Sequence, residues 1–136
     1  MKIITFGMLL SLSSLMANDI NIKITNLSNQ KGDIKIGLYN KAQNFSKVDK
    51  VYKEATVKIS SKTFKYKFTN IPNGVYAIAI FHDENQNSKL DKNLFGMPIE
   101  GYGFSNNIRP SFRSANFEES KFELNGDKNI NIKMGY

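Results

Sequence analysis

The sequence contains no cysteine and no tryptophan, and it holds a single histidine, His82, two arginines, Arg109 and Arg113, and three prolines. Without cysteine there is no disulfide, no thiolate metal site and no lipid-modified N-terminal cysteine. One histidine with no cysteine partner leaves too few nitrogen and sulfur ligands for a soft metal centre. Two arginines and no basic patch interleaved with aromatics argue against nucleic-acid binding. Long helical periodicity is missing as well, which argues against a helical bundle. No serine stands in a Gly-x-Ser-x-Gly elbow, so hydrolase chemistry of that kind has no anchor.

The first stretch, Met1 to Ala17, has Lys2, an apolar run from Ile3 to Leu12, and small residues towards Ala17. This order is that of a secretory signal peptide, and the run is too short for a membrane-spanning helix of about 20 residues. The alternative is a buried N-terminal strand or helix. Cleavage after Ala17 leaves 18–136 as one domain, exported to the periplasm or the extracellular space and not membrane-spanning. Net charge is +7. Lys23, Lys35, Lys58, Lys65, Lys67, Lys121 and Lys133 alternate with apolar residues and so read as outward positions of strands, where lysine discourages edge pairing. The excess is compatible with weak attraction to an envelope polysaccharide or a protein partner.

Ile20, Ile22 and Ile24 alternate with polar residues and predict a half-buried strand over 19–27; Ile34, Ile36 and Leu38 predict a second of the same parity. The cluster Ser28 to Asp33 between them predicts a hairpin. Over 40–53 the alternation breaks, and Ala42, Phe45, Val48 and Val51 fit a short helical turn or a crossing loop. Strands follow at 55–59 and 63–69. The turn Pro72-Asn73-Gly74 leads into 75–81, apolar on both faces and therefore predicted to be central. After a long loop, 110–119 is irregular with Phe112, Ala115 and Phe117 as core plugs, and strands at 120–124 and 129–134 flank an Asn125-Gly126-Asp127 hairpin turn. Seven short strands with turn signals between them predict an all-β, antiparallel β-sandwich.

The chemistry-bearing stretch is Phe81 to Asn107. It is longer than the connections usual in compact domains, and its apolar residues, Leu90, Leu94, Phe95, Met97 and Ile99 among them, argue for order. The segment Gly74 to Asn85, then Asn87, Lys89-Leu90-Asp91, Gly96, Pro98 and Glu100 to Asn107, resembles the bacterial exported family named domain of unknown function 2141. The resemblance covers nearly all of the chain after the leader. It implies an exported Ig-like or transthyretin-like sandwich and no assigned activity. Gln86 and Ser88 stand where that family often has Gly.

Three chemistries suit the loop. Asp83, Asn85, Asn87, Lys89 (through its backbone carbonyl) and Asp91 alternate as the oxygen ligands of a calcium loop do, with Glu100 as a distant carboxylate. Ser88 at the sharp turn and Leu94 at the twelfth position depart from that pattern. The simpler alternative is that these side chains cap turns. His82, with Asp83 or Glu84, offers an acid and a base for a cell-envelope enzyme, although no nucleophile accompanies them. Tyr102 and Phe104, between Gly101 and Gly103 and followed by Asn106 and Asn107, suit a carbohydrate or peptide site; the alternative is that the aromatics pin the loop while the glycines take conformations other residues resist.

Overall fold

A computed structural model of the protein describes residues 16–136. The leader read at Met1–Ala17 lies outside the described residues, apart from Met16 and Ala17. Among the described residues no helix is long and apolar enough to cross a membrane.

Among the described residues eight strands form a sandwich: β1 Ala17–Thr25, β2 Asp33–Tyr39, β3 Lys53–Lys58, β4 Phe64–Pro72, β5 Gly74–Asp83, β6 Tyr102–Phe104, β7 Phe122–Leu124 and β8 Lys128–Lys133. One sheet runs β4-β1-β8 and the other β3-β2-β5-β6, with β7 also on β5. Isoleucine alternation does most of the folding. Ile20, Ile22 and Ile24 of the first sheet and Ile34, Ile36 and Leu38 of the second are all essentially buried in one core with Ile78, Ile80 and Ile132. Lysines at the intervening positions of β1 and β4 face outward.

The sandwich and the inner position of β5 agree with the sequence reading, but two hairpins do not form. β1 pairs with β4 and, in parallel, with β8, whereas β2 pairs with β3 and β5. Strands of equal parity can bury their apolar faces against each other across a core as well as side by side. The Ser28–Asp33 cluster, with Gly32 at φ 68, carries the chain between sheets. The Asn125–Asp127 turn behaves alike: β7 pairs with β5 and β8 with β1. It is fixed by Asn18, whose Oδ1 accepts from the Gly126 amide, and by Asp127, whose Oδ1 accepts from the Asp19 amide. The parallel β1–β8 pair is the exception to an otherwise antiparallel arrangement.

A second, smaller core lies on the outer face of the five-stranded sheet. Tyr39, Phe45, Ala77, Phe104, Ala115 and Phe117 form it, gathered by two connections. The first, residues 40–52, contains two 3-10 turns, Ala42–Asn44 and Val48–Lys50, so neither expected form holds alone. The second contains a one-turn helix, α1 Phe117–Ser120, closed by a capping box in which Asn116 and Glu119 satisfy each other's amides. Ala115 and Phe117 are the expected plugs. Phe112 is not: it is 96% exposed.

Candidate functional site

The outer core covers only part of the sheet face, and beside it a groove of about 490 Å³ stays open. Its floor exists because two strand residues are small. Gly37 of β2 lies directly opposite Ala79 of β5, and a Cβ on Gly37 would sit 2.7 Å from the Tyr39 ring. The Tyr39 ring lies over Gly37 in that space, and a larger side chain at Ala79 would reach into the depression beside it. Phe81, Tyr102 and Phe104 supply aromatic surface. Val48 and Val51 wall one side, and Ser88, Leu90, Lys92 and Pro98 of the long loop wall the other. Lys35 reaches the Thr56 hydroxyl at 3.1 Å along the floor, and Glu54 lies on the rim. Apolar walls with a few polar groups, at this volume, are the ordinary make-up of a ligand site.

The long loop is held in place by its own acids and amides. Asp83, at the end of β5, has no exposed surface; its carboxylate accepts from the Ser88 amide at 2.8 Å and the Asn87 amide at 3.1 Å. Asn85 and Asn87 each accept from the amide two residues on, as Asx turns do, and both donate Nδ2 to the Asp91 carboxylate. Those two hydrogen bonds hold the Asp91 carboxyl below the usual carboxylate range. Glu100 closes the base of the loop, accepting from the Glu84 and Asp91 amides. Burial first, and then the neighbouring Asp91 and Asp83 charges, push its carboxyl up. Gln86 and Ser88 take left-handed backbone, φ 57 and 62, without being glycine. Among the described residues no three His, Asp or Glu side chains converge as they would around a bound ion.

His82 points away from the groove. It has no exposed surface; Nε2 lies 2.6 Å from the Lys31 carbonyl and Nδ1 lies 2.7 Å from the Tyr136 hydroxyl. A carbonyl only accepts, so Nε2 is the donor to Lys31, and in the neutral ring Nδ1 accepts from the Tyr136 hydroxyl. Glu84 Oε1 is 3.8 Å from Nδ1. This constellation ties the Lys31 turn and the Tyr136 end to β5, and the imidazole offers no face to a substrate in the groove.

Of the binding residues read from the sequence, Tyr102 and Phe104 line the groove, with the Arg109 guanidinium 4.1 Å from the Tyr102 ring centre. Asn106 and Asn107 do not. Asn106 donates to the Glu119 and Lys121 carbonyls, and Asn107 bridges the Asn131 carbonyl and the Lys133 amide. Asn106 ties the connection to the end of α1, and Asn107 locks it onto β8, its amide both donating and accepting. Gly101 and Gly103 are needed for closeness and not for unusual backbone: a Cβ on Gly101 would meet the Tyr136 ring at 2.3 Å, and one on Gly103 the Ile132 side chain at 2.8 Å. The residues missed are Lys35, Gly37, Thr56 and Ala79. Glycine inside a strand, which often marks a close approach, was the available signal.

The fold and groove define a small β-sandwich whose second sheet face is half covered by loops and half open. The chain belongs to a bacterial family described as uncharacterized protein conserved in bacteria (DUF2141), whose sequence model matches residues 22–133. No curated protein and no solved structure matches the chain significantly.

Proposed function

We propose that this protein is an exported binding module of the cell envelope, periplasmic or extracellular, and that the groove on the five-stranded sheet receives its ligand. The observation that carries the reading is the paired Gly37 and Ala79 floor set among Phe81, Tyr102 and Phe104. Flat aromatic faces beside small residues suit a sugar ring or an extended peptide. Lys35 and Lys92 against the single Glu54 favour an acidic ligand, and an acidic saccharide of the envelope fits both features. An array of acidic and neutral saccharides tests this, with Ala79→Leu to fill the floor and exposed Lys92→Ala as a variant that leaves the fold alone. Acidic saccharides should bind the wild type and lose affinity in both variants. Binding that ignores both substitutions would remove the groove from the account.

Calcium in the 83–91 loop is the second reading. What supports it is Ser88: at φ 62 it takes the left-handed turn that a calcium loop makes at its sixth position, usually with Gly. For a cation to be held, the Asn85 and Asn87 amides would rotate, turning their oxygens and the Asp83 and Asp91 carboxylates towards it, with the Lys89 carbonyl and Glu100 beside them. Calcium that binds only the folded state raises the melting midpoint by mass action. A rise in millimolar calcium over EDTA, abolished in Asp83→Ala with Asp91→Ala, is the expected result. Equal midpoints in both buffers would leave the loop to its Asx turns.

A further inference from the structure

Two of the three most exposed apolar side chains among the described residues, Leu94 and Phe95, sit at the end of an ordered hairpin. The chain folds back between Asp91 and Ile99: the Ile99 amide donates to the Asp91 carbonyl, the Asn93 amide to the Met97 carbonyl, and the Gly96 amide to the Asn93 carbonyl. Asn93 Oδ1 fixes the bend from inside, accepting from the Phe95 and Met97 amides. Gly96, at φ 75, supplies the left-handed residue the bend requires. Leu94 and Phe95 therefore occupy the two corner positions, where turns ordinarily carry polar residues. They are 102% and 90% exposed, and Met97 and Ile99 behind them are exposed as well. Phe112 comes alongside from the neighbouring connection, sharing a small cleft with Met97 and Pro98.

An apolar tip held rigidly in water marks an interaction surface, and the charges around it indicate the partner. Between Glu84 and Asn116 the acids are Glu84, Asp91 and Glu100, each at least half buried. The cations Lys89, Lys92, Arg109 and Arg113 are all exposed, although Arg113 is paired with Glu119. The protein as a whole is basic. A protein partner would need a pocket shaped to this convex finger. A soft surface takes such a finger without needing a matching pocket.

We infer that the 91–99 hairpin and Phe112 dock on an anionic lipid surface, Leu94 and Phe95 entering the interface while Lys89 and Lys92 meet lipid phosphates. Burial of the two apolar side chains and attraction of the lysines to lipid phosphates act in the same direction.

The test is co-sedimentation of the purified protein with vesicles of phosphatidylcholine alone and of phosphatidylcholine mixed with phosphatidylglycerol. Leu94→Ser with Phe95→Ser, and separately Phe112→Ser, are compared with the wild type. Any partitioning due to the apolar start of the chain is common to all three and cancels. The wild type should sediment with the phosphatidylglycerol vesicles, less in high salt, and the double variant should lose at least about tenfold in partitioning. Because both side chains face water, the double variant should keep the wild-type melting midpoint. Equal binding by the variants, no preference for the anionic vesicles, or Leu94-dependent self-association without lipid would each overturn the inference.

Discussion

At the residue scale, two serines one contact apart have opposite roles. Ser105 is buried where β6 and β7 leave a gap along β5. Its Oγ accepts from the Ile78 amide at 2.9 Å and donates to the Ser120 carbonyl, replacing a missing rung of the ladder. Ser120 Oγ is buried with no partner. Removing the first hydroxyl strands two backbone groups, and removing the second relieves one stranded group. Ser105→Ala should therefore lower stability by about 1–3 kcal/mol, whereas Ser120→Ala should be neutral or raise it by up to about 1 kcal/mol. Urea unfolding of the two variants reads the contrast directly. Equal losses would mean that volume, not hydrogen bonding, governs this seam.

At the scale of elements, the short helix α1 is held by two ion pairs, Arg113 with Glu119 and Lys121 with Glu118, of which the first also closes its start. Arg113 meets Glu119 in a two-pronged contact, and Glu119 also caps the helix. The guanidinium, with the Asn116 amide, lowers the Glu119 carboxyl from its ordinary 4.5 to about 2. A carboxylate depressed in the folded state contributes stability above its unfolded value, and that contribution fades as pH falls from about 4.5 towards 2. Carboxyl NMR should find Glu119 titrating near the bottom of that window, and Arg113→Ala should return it towards the ordinary range. Glu100, whose carboxyl burial pushes up, has the opposite sign: its burial opposes folding once the carboxyl ionises.

The elements also show what the sequence could and could not express. Strand existence was legible because alternating isoleucine and lysine can bury only one face. Partner choice was not, because β1 and β2 have the same parity whether they lie in one sheet or in two. The long loop was legible as ordered, but its apolar residues are only part of the reason, Phe104 and Tyr102 packing on the outer core. Asp83, Asn85, Asn87 and Glu100 provide the rest through backbone hydrogen bonds, while Leu94 and Phe95 stand in solvent. Tyr102 and Phe104 were legible as aromatic surface. Gly37 and Ala79 were not, since a floor made of missing side chains appears only when β2 and β5 are set in register.

At the scale of the whole molecule, the sandwich core, the outer core and the self-bonded loop converge on one result, a sheet face left partly open between two connections. His82 and Tyr136 close one end of the sandwich, away from that opening. The proposed binding therefore depends on the groove. The most direct test is an amide NMR titration of the folded protein with an oligosaccharide containing uronic acid. Shifts should cluster at residues 35–39, 54–56, 79–81, 88–92 and 102–104 and disappear in Ala79→Leu. Shifts gathered around His82 and Tyr136, or left unchanged by Ala79→Leu, would contradict binding in the groove.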